Sequence, residues 1–117
     1  MGKKLLLVED DIVFSKLISK FLDKNGFEVS DAKNGKDALQ ILEADHFELA
    51  ILDYRLPDMN GLEVLTLLKE KSPKAKVVLM TRFGEEAAAK AIGAGADAFI
   101  SKPINPEELL EVVNRLQ

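Results

Sequence analysis

Apolar residues along the chain gather into four short runs: Leu5-Leu6-Leu7-Val8, Leu49-Ala50-Ile51-Leu52, Val77-Val78-Leu79-Met80 and the weaker Ala98-Phe99-Ile100. Each has the length of a strand. A strand apolar on both faces needs cover on both, as in a parallel sheet sandwiched between helices. Phe27-Glu28-Val29-Ser30 alternates instead and suits a strand at the sheet's edge, making five in all. Between these runs the period becomes helical. Phe14, Leu17, Ile18, Phe21 and Leu22 form one stripe expected to be buried, with Asp11 placed to cap the helix and Asn25-Gly26 to end it. Asn34-Gly35 opens a second helix reaching about Ala44, and Gly61 precedes a third that runs to about Lys71, where Ser72-Pro73 stops it. An alanine-rich stretch from Glu85 to Ala94 fits a fourth. Pro106 suits the first position of a fifth, with Leu109, Val112, Val113 and Leu116 on its inner face. Strand and helix in alternation predict an α/β fold, doubly wound about a five-stranded parallel sheet with five helices.

The length of 117 residues is that of a single domain, 1–117. No apolar run approaches the roughly 18 residues of a membrane helix, and Met1-Gly2-Lys3-Lys4-Leu5-Leu6-Leu7-Val8 meets Glu9 too soon for a signal peptide. A cytoplasmic protein without a membrane partner is the expectation. The absence of cysteine and the single histidine, His46, exclude thiol chemistry and multi-histidine metal sites. His46 itself is expected in a surface loop between the second helix and the third strand. Sixteen basic residues against 20 acidic ones give a net charge of -4, which argues against direct binding of nucleic acid.

Parallel α/β sheets carry their sites at the carboxyl ends of the strands. There the chain places Glu9, Asp10 and Asp11 after the first run, Asp53 after the third strand, Thr81 after the fourth and Lys102-Pro103 after the fifth. Carboxylates gathered within a few ångströms repel one another unless some are protonated or a cation sits among them. A hard divalent ion, Mg²⁺ first, is the natural occupant. With a lysine and a hydroxyl, such an ion can stabilise charge on a transferring phosphoryl group, and a carboxylate facing that group becomes its acceptor.

At these residues the sequence resembles the receiver domains of two-component response regulators, over essentially its whole length. Leu6-Leu7-Val8-Glu9-Asp10-Asp11 is similar to the family's acidic-pair motif, and Leu52-Asp53-Tyr54-Arg55-Leu56-Pro57-Asp58-Met59-Asn60-Gly61 to its phosphorylation loop. Met80-Thr81 matches the hydroxyl position, and Phe99-Ile100-Ser101-Lys102-Pro103 the switch aromatic and lysine. The resemblance implies a flavodoxin-like sheet of strand order 2-1-3-4-5. It implies that Asp53 accepts phosphate from a histidine kinase or phosphotransfer protein. Mg²⁺ would be held by Asp10, Asp53 and the backbone carbonyl of Arg55, with Glu9 acting through water. Lys102 would pair with the phosphoryl oxygens, Thr81 would bond to one of them, and Phe99 would swing inward behind Thr81. The Lys102-Pro103 bond would be cis. The output would be a changed surface on the fourth helix, fifth strand and fifth helix, read by an output domain or target protein, in a monomer or weak dimer.

Three departures stand beside the resemblance. Arg82 follows Thr81 where the family usually carries Ala or Gly, which bears on the access of water and phosphodonors. The interval from Thr81 to Lys102 is about one residue short. Val112 occupies the place read as that of an arginine that pairs across the dimer face in the winged-helix subfamily. An aspartyl-phosphate hydrolase is the alternative enzyme, but Arg55 stands where its second acid would be, and turnover catalysis is not expected. Flavodoxin-like carriers need a hydroxyl-rich loop after the first strand, where this chain has acids. An engineered scaffold retaining the site is left open by the sequence.

Overall fold

The computed structural model describes residues 2–82, 93 and 95–117. In chain order these form β1 (Lys3–Val8), α1 (Ile12–Lys24), β2 (Phe27–Ala32), α2 (Gly35–Ala44), β3 (Leu49–Asp53), α3 (Gly61–Lys71), β4 (Lys76–Thr81), β5 (Ala98–Ser101) and α4 (Pro106–Leu116). The strands make one sheet ordered β2-β1-β3-β4-β5, with every neighbouring pair parallel. This is the doubly wound order 2-1-3-4-5. The helix expected over Glu85 to Ala94 lies outside the described residues apart from Gly93.

Unbroken apolar runs arise because successive side chains of a strand point to opposite faces. Leu6, Val8, Ala50, Leu52, Val77 and Leu79 pack on Ala38 and Leu42 of α2 and on Val64, Leu65 and Leu68 of α3. Their neighbours Leu5, Leu7, Leu49, Ile51, Val78 and Met80 pack on Ile18 and Leu22 of α1 and on Leu109, Val112 and Val113 of α4. Each fully buried side chain of this kind contributes about 1.5–3 kcal/mol, so β1, β3 and β4 hold the sheet from both sides.

Helix ends fall where short polar residues satisfy free amides. Asp11 accepts from the Phe14 amide at 3.1 Å and Asn34 from that of Asp37 at 2.8 Å. Asn60 and Glu63 form a reciprocal capping box on α3, and Asn105 caps α4 ahead of Pro106. Gly26, at φ 94°, takes the left-handed turn after α1.

One sequence expectation needs correction. Leu17 is 57% exposed, and the buried face of α1 runs through Ser15, Ile18 and Leu22 instead. Residues on a helix are separated by about 100°, so a stripe wide enough to hold both Phe14 and Leu22 leaves Leu17 beyond its margin. Val112 is buried on the inner face of α4, as expected. Its neighbours Leu109 and Val113 are buried as expected, while Leu116 is half-buried. No described helix is long and apolar enough to cross a membrane.

Candidate functional site

The parallel registers bring the strand ends to one edge, with Val8 opposite Leu52, Asp53 opposite Met80 and Thr81 opposite Ser101. Backbone bonds continue the order past the strands. The Glu9 amide donates to Ala32 O at 3.0 Å, that of Tyr54 to Met80 O at 2.9 Å and that of Lys102 to Thr81 O at 2.7 Å. Glu9, Asp53 and Thr81 are consequently buried, while Asp10 is exposed at the mouth.

Lys102 Nζ lies 2.9 Å from Glu9 Oε1 and 2.9 Å from Asp53 Oδ2, bridging the two buried carboxylates. The second oxygen of each meets a backbone amide: Glu9 Oε2 accepts from Asp11 N at 3.0 Å, and Asp53 Oδ1 from Arg55 N at 3.2 Å. Carboxylate oxygens of Glu9, Asp10 and Asp53 lie within 4.8 Å of one another. Asp11 is outside this group because its side chain caps α1. Three carboxylates against one ammonium leave an uncompensated negative charge in a crevice of hard oxygen donors, and that donor set fits a divalent cation such as Mg²⁺.

Burial raises the Glu9 carboxyl above its ordinary 4.5, the charge of Asp53 adds to the effect, and the bonds from Asp11 N and Lys102 only partly oppose it. Lys102 is pulled down by burial, yet its bonds to Asp53 and Glu9 outweigh this and raise it above 10.5. Both shifts make stability fall as pH rises, each in its own window. Between 4.5 and the raised value the folded protein holds a proton on Glu9 that the unfolded chain has lost, so stability falls as pH rises through that window. The Lys102 contribution is present below 10.5 and is lost as pH climbs through its raised value. In chelator, the urea midpoint of Glu9→Gln should therefore gain on that of the unaltered protein as pH rises above 4.5. A difference that stays constant with pH would contradict this.

Sequence reasoning did not find the anchoring of the loop after β3. Asp58 accepts from the amides of Gly35 at 2.8 Å and Lys36 at 2.9 Å, the first residues of α2, and these bonds hold its carboxyl below the usual range. The Met59 side chain lies where a Cβ on Gly35 would be. Inside the loop, Arg55 pairs with Asn60 in an antiparallel bridge and the Leu56 amide donates to Met59 O at 3.1 Å. Arg55 is thus held beside Asp53 by a loop pinned to a neighbouring helix.

Of the remaining candidates, Phe99 is 42% exposed on β5 and Arg82 is exposed just beyond Thr81. The Lys102-Pro103 bond is cis. A cavity of about 200 Å³ adjoins the crevice, lined by Glu9, Asp11, Phe14, Lys102, Pro103 and Ile104. A roomier one of about 700 Å³ lies at the opposite end of the sheet between Lys4, Phe47 and Leu116, away from the acidic cluster. His46, exposed between α2 and β3 as expected, borders it.

An acidic crevice at the carboxyl edge of a doubly wound sheet, bridged by a lysine that directly follows β5, defines a narrow class of α/β domains. The family model of the response regulator receiver domain matches residues 5–114, and the chain belongs to that family. It is similar to the chemotaxis protein CheY of Thermotoga maritima, 30% identical over 99% of this chain and 98% of that protein. A probable transcriptional regulator, ycf29, of Pyropia yezoensis is 40% identical over 99% of this chain and 54% of its own length. A cyclic di-GMP phosphodiesterase of Thermotoga maritima is 36% identical over 97% of this chain and 31% of its own. The chain thus spans about half or less of those last two relatives. Among solved structures, a CheY-like receiver domain protein from Methanospirillum hungatei superposes with a TM-score of 0.92 at 34% identity, covering 98% of this chain and 93% of that one.

Proposed function

We propose that Asp53 is the phosphoacceptor of this receiver domain. The observation that carries the reading is the Lys102 bridge between Asp53 and Glu9, with Asp10 beside them. A carboxylate oxygen of Asp53 attacks the phosphorus of a phosphohistidine on a histidine kinase or phosphotransfer protein. The phosphorus–nitrogen bond breaks, the imidazole leaves with its electron pair and takes up a proton, and Asp53 becomes an acyl phosphate. Asp10, Asp53 and the Arg55 carbonyl would hold Mg²⁺, with Glu9 acting through water, and the ion would supply charge neutralisation for the phosphoryl oxygens. Lys102 provides a second positive charge from the protein itself. The reaction modifies the domain's own side chain, so it is not a turnover enzyme.

Thr81 then donates its hydroxyl to a phosphoryl oxygen, a charge-assisted bond stronger than a neutral one. Phe99 follows inward, altering the surface around β5 and α4 that an output domain or target protein reads. Ile12, Val13 and Leu17, exposed at the start of α1, offer apolar area to a partner docking at the crevice. The cytoplasm is the matching compartment.

Incubation with acetyl phosphate and Mg²⁺ should add one phosphate to the intact mass, and chelator should prevent it. No gain in mass under either condition would refute the assignment.

A further inference from the structure

The Lys102 ammonium and a divalent cation would draw on the same buried carboxylates. Lys102 Nζ occupies Glu9 Oε1 and Asp53 Oδ2, and these two carboxylates with Asp10 are the group whose oxygens lie within 4.8 Å of one another. An arriving dication repels the ammonium and weakens its hold on both acids. Lys102 would then turn toward something else, and what lies within its reach determines how costly the departure is.

The ring of Phe14 is within reach, its centroid 6.0 Å from Lys102 Nζ, at the outer limit of a cation–π contact. Phe14 and Lys102 line the same cavity of about 200 Å³, which leaves room for the ammonium to approach the ring. Phe14 is also held in register: Asp11 accepts a hydrogen bond from its amide at 3.1 Å, and the Asp11 amide donates to Glu9. The backbone of Phe14 is therefore linked through Asp11, by two hydrogen bonds, to the Glu9 carboxylate.

We propose that Phe14 is a positioning residue that receives the Lys102 ammonium when a divalent cation enters the crevice, and thereby strengthens binding of the ion. The inference rests on the proposed ion site. Phe14 touches neither the ion nor the phosphoryl group; it acts through Lys102 by stabilising the displaced side chain. A ring face is suited to this because it attracts the ammonium without a formal negative charge that would also draw in the dication.

The test uses Mg²⁺ alone, titrated into the whole chain and followed by Tyr54 fluorescence. Tyr54 is the only tyrosine in a chain without tryptophan and adjoins Asp53. Phe14→Leu should weaken Mg²⁺ about two- to fivefold, while Phe14→Trp, titrated through the emission of its own indole, retains or improves affinity. In a Lys102→Ala background the same Phe14→Leu change should have no effect, an outcome that a purely structural role for Phe14 would not produce. In the unaltered protein, Mg²⁺ should shift the Lys102 ε-methylene proton signal upfield through the ring current, and Phe14→Leu should remove that shift. Equal Mg²⁺ affinity for Phe14→Leu and the unaltered protein, or a loss that persists without Lys102, would overturn the inference. Failure of the unaltered protein to bind Mg²⁺ would instead overturn the ion site on which it rests.

Discussion

Asp53→Asn is expected to reduce phosphoryl incorporation from acetyl phosphate to background while the protein remains folded. An amide oxygen lacks the charge that makes a carboxylate a nucleophile, so the acyl phosphate cannot form. The fold should tolerate the change because the replacement oxygen can still accept from the Arg55 amide, the contact now made at 3.2 Å. Loss of one negative charge also relieves a cluster in which three carboxylates face one ammonium. Intact mass and peptide mapping after incubation with Mg²⁺ and acetyl phosphate provide the measurement. Glu9, Asp10 and Asp11 all remain in the variant, so undiminished label on any of them would transfer the acceptor role away from Asp53.

Gly61→Ala should be the most damaging small substitution near the site. A Cβ at Gly61 would sit 2.2 Å from the carbonyl oxygen of Asp53 and 3.2 Å from Cα of Tyr54, both backbone atoms. Alanine at the start of α3 would gain at most about 1 kcal/mol in helix propensity. Displacing the backbone of the acceptor residue costs about 1–3 kcal/mol, and more where neighbours cannot give way, so the clash prevails. The expected result is a lower urea midpoint together with poor phosphorylation. Gly35→Ala is the informative contrast, because its Cβ would meet the Met59 side chain at 2.3 Å, and a flexible thioether can rotate aside. Equal stability for Gly61→Ala and the unaltered protein would show that the loop after β3 is softer than its hydrogen bonds indicate.

The sheet was legible in the sequence because a parallel strand covered on both faces is apolar at every position, as Leu5 to Val8 and Val77 to Met80 are. Strand ends then share an edge by topology alone, which is enough to bring Glu9, Asp53, Thr81 and Lys102 together. Other features depend on orientation or on distant partners. Nothing local distinguishes Leu17 from Ile18, although Leu17 faces outward. Ser15 is buried in the face that looked purely apolar, its hydroxyl 3.4 Å from Asp31 on β2. Asp58 reads as a turn residue, while its partners Gly35 and Lys36 lie more than 20 positions earlier. The double engagement of Lys102 likewise joins residues separated by 93 and 49 positions, with no periodic signal to reveal it.

The unequal anchoring of the strands has a consequence for how the domain divides permanence from plasticity. All five residues of β3 are buried and the strand is paired on both sides, so its amides exchange with solvent only when the whole molecule opens. β5 is paired on one side, and Ile100 is its only buried residue among four. Opening at that edge forfeits little apolar burial, so excursions there draw on a small part of the total folding free energy. Among the described strands, the residue proposed to receive phosphate thus belongs to the one expected to exchange most slowly, and Phe99 to one expected to open at low cost.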